Sequence, residues 1–162
     1  QLCTVVHSGA GLATDAPVID RGPISDEHLV TGGYWSSYYY KGRIYGTEIV
    51  RGIDVFELLP SEHISEAEIA AAALTSDGDI FNPQQQMKVS WPNEPIVAQA
   101  YVDQLARSNA LTAELVSDLS SALTSEVKKK TLRALAKKLP KSHPDSVTLQ
   151  RLEALNKILT NI

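Results

Sequence analysis

The stretch Tyr34–Tyr40 reads YWSSYYY and is aromatic at five of its seven positions. Side chains alternate across a strand, so Tyr34, Ser36, Tyr38 and Tyr40 should share one face and Trp35, Ser37 and Tyr39 the other. Both faces are then aromatic. A platform that stacks a sugar or a base needs one exposed face backed by an ordinary apolar one. A strand loaded on both faces is more economically placed between two layers. The neighbouring residues agree. Lys41-Gly42 has the form of a two-residue hairpin loop, and Arg51-Gly52 makes a second short connection. Arg43–Val50 and Ile53–Leu58 carry residues that suit a pleated surface. Short turns force antiparallel neighbours, so residues 33–58 are expected to form a β-meander. Its third strand is again two-faced, with Ile53 and Val55 against Phe56 and Leu58.

Three strands with two apolar faces are not stable alone. A blade of a β-propeller has this requirement, because each sheet packs between neighbours. One blade does not close a propeller, which takes roughly four to eight. The expectation is therefore either further blades upstream on a longer chain or helices of this chain covering the sheet. The sequence begins at Gln1 without the basic start and apolar core of a signal peptide, which fits a processed N-terminus or a piece of a longer chain. Before the meander, residues 1–31 read as extended or irregular, with a short strand over Leu2–His7.

After residue 58 the period changes from 2 to 3.6. Ser65-Glu66-Ala67-Glu68 has the form of a capping box, flanked by Ile64 and Ile69 at the hydrophobic-staple positions. The spacing predicts a helix from about Ser65, ending near Asp77-Gly78. Residues 77–93 are a Pro-, Gln- and Asn-rich loop. Pro95 sits where a helix tolerates it, just inside the start, and Val97, Tyr101, Val102 and Leu105 form a stripe behind it. Thr112 is the expected N-cap of the next helix, with Leu115, Val116, Leu119, Ala122 and Leu123 on one face. A third starts at Ser125 with Val127, Leu132, Leu135 and Leu139. The last starts near Asp145 or Ser146 and aligns Leu149, Leu152, Leu155, Leu159 and Ile162. The predicted class is α+β: a blade-like antiparallel meander, then a helix and a small C-terminal four-helix bundle. The divisions expected are 1–60 (extended segment and meander), 61–93 (capped helix and loop) and 94–162 (bundle).

Charge is unevenly spread. Residues 1–125 hold 16 acidic and 6 basic side chains, and residues 126–162 hold 3 and 9. The basic stretch SEVKKKTLRALAKKLPK places Leu132, Leu135 and Leu139 on one side of a helix, with Lys129, Lys130, Arg133, Lys137 and Lys141 mostly opposite. Lysine predominates and no aromatic residue lies between 102 and 162, which is not the pattern of a stacking nucleic-acid groove. The expected role is solubility, or a weak contact with an acidic envelope polymer or with the chain's own acidic part, without specific nucleic-acid binding.

Residues 21–109, from RGPIS through GGYWSSYYYKGRIYGTEIVRGIDVFELLPSEHISEAEI and FNPQQQMKVSWP to AYVDQLARSNAL, resemble the C-terminal part of bacterial LVIVD-repeat proteins. RGIDVFEL resembles the end of such a repeat. The resemblance implies a secreted, periplasmic or cell-surface setting and a β-propeller of repeats in the preceding chain. It implies no enzymatic activity and no catalytic residues. The function expected is that of a structural or interaction segment docking on upstream blades or on a protein partner, with no cofactor and no transmembrane segment.

Two other classes stay open. A glycan-binding module would use Tyr34, Trp35, Tyr38, Tyr40 and Trp91. A hydrolase fragment would need Asp54, Glu48 and one of His7, His28, His63 or His143, but no acid–base constellation is signalled. Glu48 and Asp54 are expected in salt bridges to Arg43 or Arg51. Asp77, Asp79 and Asn82 offer oxygen ligands without the full calcium-loop pattern, and a helix-ending turn explains them as well. Cys3, the single cysteine, forms no internal disulfide and supports no zinc site. It reads as a small buried residue.

Overall fold

A computed structural model describes residues 3–9, 34–40, 42–48, 52–74, 90–124 and 129–162. The chain is α+β and divides into two compact units. Among the described residues, the strands and residues 59–64 form the first unit, and residues 65–74 with 90–162 form the second.

The meander is present as β2 (Tyr34–Tyr40), β3 (Arg43–Glu48) and β4 (Gly52–Leu58). Gly42 at φ 81° and Gly52 at φ 94° take the left-handed turns that the two hairpins require. A further strand, β1 (Cys3–Gly9), pairs antiparallel with β4, so the sheet order is β1-β4-β3-β2. Three strands joined by hairpins, with a fourth brought in beside the last one over a long connection, make a Greek-key order.

Register is where alternation alone misleads. Tyr40 pairs with Arg43, Tyr38 with Tyr45, and Ser36 with Thr47, but Tyr34 pairs with Glu48. Two steps along β2 match one step along β3, which is a β-bulge at Trp35. The extra residue turns Tyr34 over. It does not share a face with Tyr38 and Tyr40, as strict alternation predicts, but lies with Tyr39, Ile44, Gly46, Asp54 and Phe56. Ser36, Tyr38, Tyr40, Tyr45, Thr47, Ile53 and Val55 line the opposite face, where the Ser36 and Thr47 hydroxyls lie 3.3 Å apart.

The hydrophobic core sits in the helical unit. It contains α1 (Glu66–Ala73), α2 (Pro95–Arg107), α3 (Ala113–Thr124), α4 (Lys129–Ala136) and α5 (Ser146–Asn161). α2 packs against α1, α3 and α5, and its Val97, Ala98, Val102 and Leu105 are fully enclosed. Leu119, Leu132, Leu152, Leu155 and Leu159 complete the centre. In α5 the buried stripe is Thr148, Leu152, Leu155, Ile158 and Leu159, while Leu149 and Ile162 sit at its margin. Among the described residues no helix is long and apolar enough to cross a membrane.

The caps are local and chemically explicit. Ser65 accepts from the Glu68 amide at 3.2 Å, and the Glu68 carboxylate accepts from the Ser65 amide at 2.7 Å. α1 ends at Ala73 with Leu74 as its cap, before Asp77-Gly78, which lies outside the described residues. The Thr112 hydroxyl accepts from the Leu115 amide, and the Asp145 carboxylate from the Thr148 amide at 2.7 Å. The expected start at Ser125 lies outside the described residues. α2 closes in a Schellman motif: Asn109 at φ 55° donates to Ala106, and Ala110 donates to Leu105. Asn is one of the few side chains that tolerates this backbone region.

Glu68 does a second task. Its two oxygens take a bidentate pair from Arg107 at 2.6 and 2.8 Å, which ties the start of α1 to the end of α2. Burial alone would raise the Glu68 carboxyl, but the Arg107 guanidinium and the Ser65 amide outweigh it and hold it below its ordinary value. A carboxyl lowered in the folded state stabilises fully above its unfolded pKa, near 4.3, and loses that contribution as pH falls through the lower folded value. Arg107 remains 35% exposed, so solvent screens part of the pair. Glu68→Ala removes both the cap and the pair and should destabilise the helical unit by about 2 kcal/mol in urea unfolding followed by far-UV circular dichroism. Glu68→Gln should flatten the stability profile between pH 5 and pH 3. A steep profile retained in this variant would locate the acid sensitivity elsewhere.

Candidate functional site

The bulge creates a built polar feature in the sheet. Asp54, in the middle of β4, is fully buried, and the Tyr34 hydroxyl donates to its Oδ2. To reach it, the Tyr34 ring crosses over β3 at Gly46, which pairs with Asp54. A Cβ at position 46 would stand 2.8 Å from Tyr34 Cδ1, 2.9 Å from Cε1 and 3.3 Å from Phe56 Cε2. The Tyr34 ring meets Phe56 edge to face, with centroids 5.7 Å apart and planes at 62°. Tyr34, Gly46, Asp54 and Phe56 thus form a single stack across three strands. Of the two arginines expected to meet Asp54, Arg43 pairs with Glu57 on the opposite face, and Arg51 lies outside the described residues. Among the described residues the buried carboxylate takes the Tyr34 phenol.

The other aromatic residues of β2 go separate ways. Trp35, at the bulge, is 79% exposed. Tyr38 is exposed on the face opposite Tyr34, and Tyr40 is half-buried there. The Tyr39 hydroxyl is shielded from solvent beside the Gly42 amide, without closing a full hydrogen bond. Burial pushes its pKa up, and the amide opposes this only in part. Trp91 is exposed and belongs to the helical unit. The binding residues anticipated from the sequence therefore do not form one flat platform on β2.

Asp77, Asp79, Asn82 and His28 lie outside the described residues. Glu48 pairs through its backbone with Gly52 and Tyr34. His7 pairs with Val55 in the backbone register. His63 is exposed beside Glu62 at 3.3 Å, and His143 accepts the Asp145 amide through Nδ1. Among the described residues no three His, Cys, Asp or Glu side chains converge as metal ligands. Gly46 is the position in this stack that alternation passes over. An isolated glycine inside a strand marks close approach by another group, and RIYGTE carries that signal.

Compared with protein-family models, with curated proteins and with solved structures, the chain matches none.

Tyr34→Phe removes the phenol that meets a fully buried carboxylate, and should destabilise the sheet unit by about 1–3 kcal/mol. Tyr38→Phe, on the exposed opposite face, should stay within about 0.5 kcal/mol. Urea unfolding monitored by tyrosine and tryptophan fluorescence compares the two. Equal effects would mean that the Tyr34 hydroxyl does not anchor the stack.

Proposed function

We propose that the chain is a non-enzymatic structural or interaction segment of an extracellular or envelope LVIVD-type repeat protein, whose sheet packs on upstream blades or on a protein partner. One observation carries this reading. Both faces of the sheet present aromatic and branched side chains, yet among the described residues of β2, β3 and β4 only Gly46 and Asp54 are fully buried. Ile44, Ile53, Val55, Phe56 and Leu58 are all left half-buried. A sheet in that state gains free energy from being covered on both sides, roughly 25 cal/mol for each Å² of apolar surface removed from water. A four-stranded antiparallel sheet is also the unit from which propellers are built. The resemblance of RGIDVFEL and its surroundings to LVIVD-repeat proteins supplies the setting.

A second reading, a glycan-binding module, is favoured by Trp35 alone, whose indole stands out from the bulge. It is the lesser reading, because Tyr34 and Tyr38 lie on opposite faces and do not extend the indole into a platform. A panel of oligosaccharides that leaves tryptophan fluorescence unchanged would remove it.

Expressed by itself, the 162-residue chain should self-associate as concentration rises, seen by light scattering on a sizing column. Trp35→Ser with Tyr38→Ser should weaken that association without lowering helix content. A monodisperse monomer at every concentration would count against a sheet that needs cover.

A further inference from the structure

We propose that the exposed face of α4 is a binding site for a linear, phosphodiester-linked anionic polymer. Lys129, Lys130, Arg133 and Lys137 are all exposed and, with Ala134, line one shallow concavity on this face. Lys129 and Arg133 stand one four-residue step apart on α4, about 6 Å of helix rise, and Lys137 follows in the turn just past the helix end at Ala136. That places a row of cations along the helix, while the small Ala134 leaves room between the long side chains.

Among the described residues none of the four takes part in an ion pair, whereas the adjacent Lys138 is paired with Asp118 at 3.5 Å. Like charges four residues apart on a helix destabilise it by about 0.2–0.5 kcal/mol per pair. The helix dipole favours Arg133 and Lys137 near the C-terminal end, but not Lys129 and Lys130 a turn further back. The outer face of α5, by contrast, mixes signs with Glu153 and Lys157.

Other anionic partners fit less well. Leu132, Leu135, Ala136 and Leu139 are buried in the core, so α4 has no apolar face left to sink into a lipid surface. Tyr101 is the last aromatic residue of the chain, so no ring is at hand in this part of the sequence to stack on a base. What remains is recognition of a repeating charge by lysine point charges and one arginine fork. The buried Leu132, Leu135 and Ala136 anchor the helix, and the buried Leu139 anchors the turn that carries Lys137. The site lies wholly in the helical unit and does not depend on the reading of the sheet.

Fluorescein-labelled poly(glycerol phosphate) titrated with the whole 162-residue chain, read by anisotropy, tests this. With four phosphates neutralised, the log–log salt slope should be roughly 3. Lys129→Gln, Arg133→Gln and Lys137→Gln combined should weaken binding at least tenfold and reduce the slope to roughly 1, with circular dichroism unchanged. Lys157→Gln on α5 should leave binding within twofold. Absence of binding at low salt, or equal binding by the triple variant, would overturn the proposal. So would equal affinity for poly-glutamate of the same length, which would reduce the site to bulk charge. Tighter binding to single-stranded DNA than to the polyol phosphate would assign the face to nucleic acid instead.

Discussion

One extra residue in β2 decides where the aromatic side chains of the sheet go. The bulge at Trp35 releases the indole to solvent and inverts Tyr34 relative to the rest of its strand. Inversion brings the phenol to the face where Gly46 leaves a gap and Asp54 waits beneath it. The stack that results is the only place in the described sheet where a charged group is fully enclosed. A buried carboxylate gains from each hydrogen-bond donor it meets, and the bulge and the glycine together bring the Tyr34 phenol to Asp54.

The helical unit follows a different logic. It is held by a continuous apolar core with α2 at its centre, and its helix boundaries are written in short polar motifs. Glu68 links the two scales. The same carboxylate closes the N-terminus of α1 and grips Arg107 at the far end of α2. A cap that is also a tether makes the start of one helix conditional on the end of another.

This difference explains what could be read in advance. Ser65, Pro95, Thr112 and Asp145 all mark helix starts where the sequence places them, because a cap is decided by residues within one turn. The two hairpins are equally local, set by Gly42 and Gly52. The face on which Tyr34 sits is not local. It depends on how β2 counts against β3, and no run of seven residues contains that information. The same holds for the Tyr34 phenol that meets Asp54 from twenty residues away. The stripe of α5 was legible in outline, but Thr148 and Ile158 enter it while Leu149 stays at its margin. The cationic row of α4 was visible as a charge run. Its freedom from internal ion pairs among the described residues was not, since that requires knowing where the acids go.

The passage of the Tyr34 ring over Gly46 also constrains how this sheet can drift in sequence. Position 46 has no room for a Cβ while an aromatic ring occupies the space above it. A smaller side chain at 34 would open that space but take away the phenol that donates to Asp54. Neutral change at any one of the three positions 34, 46 and 54 is therefore closed off, and a lineage that altered one would have to alter the others with it. The three form a single inherited character spread over three strands, and their substitutions are expected to be strongly non-additive.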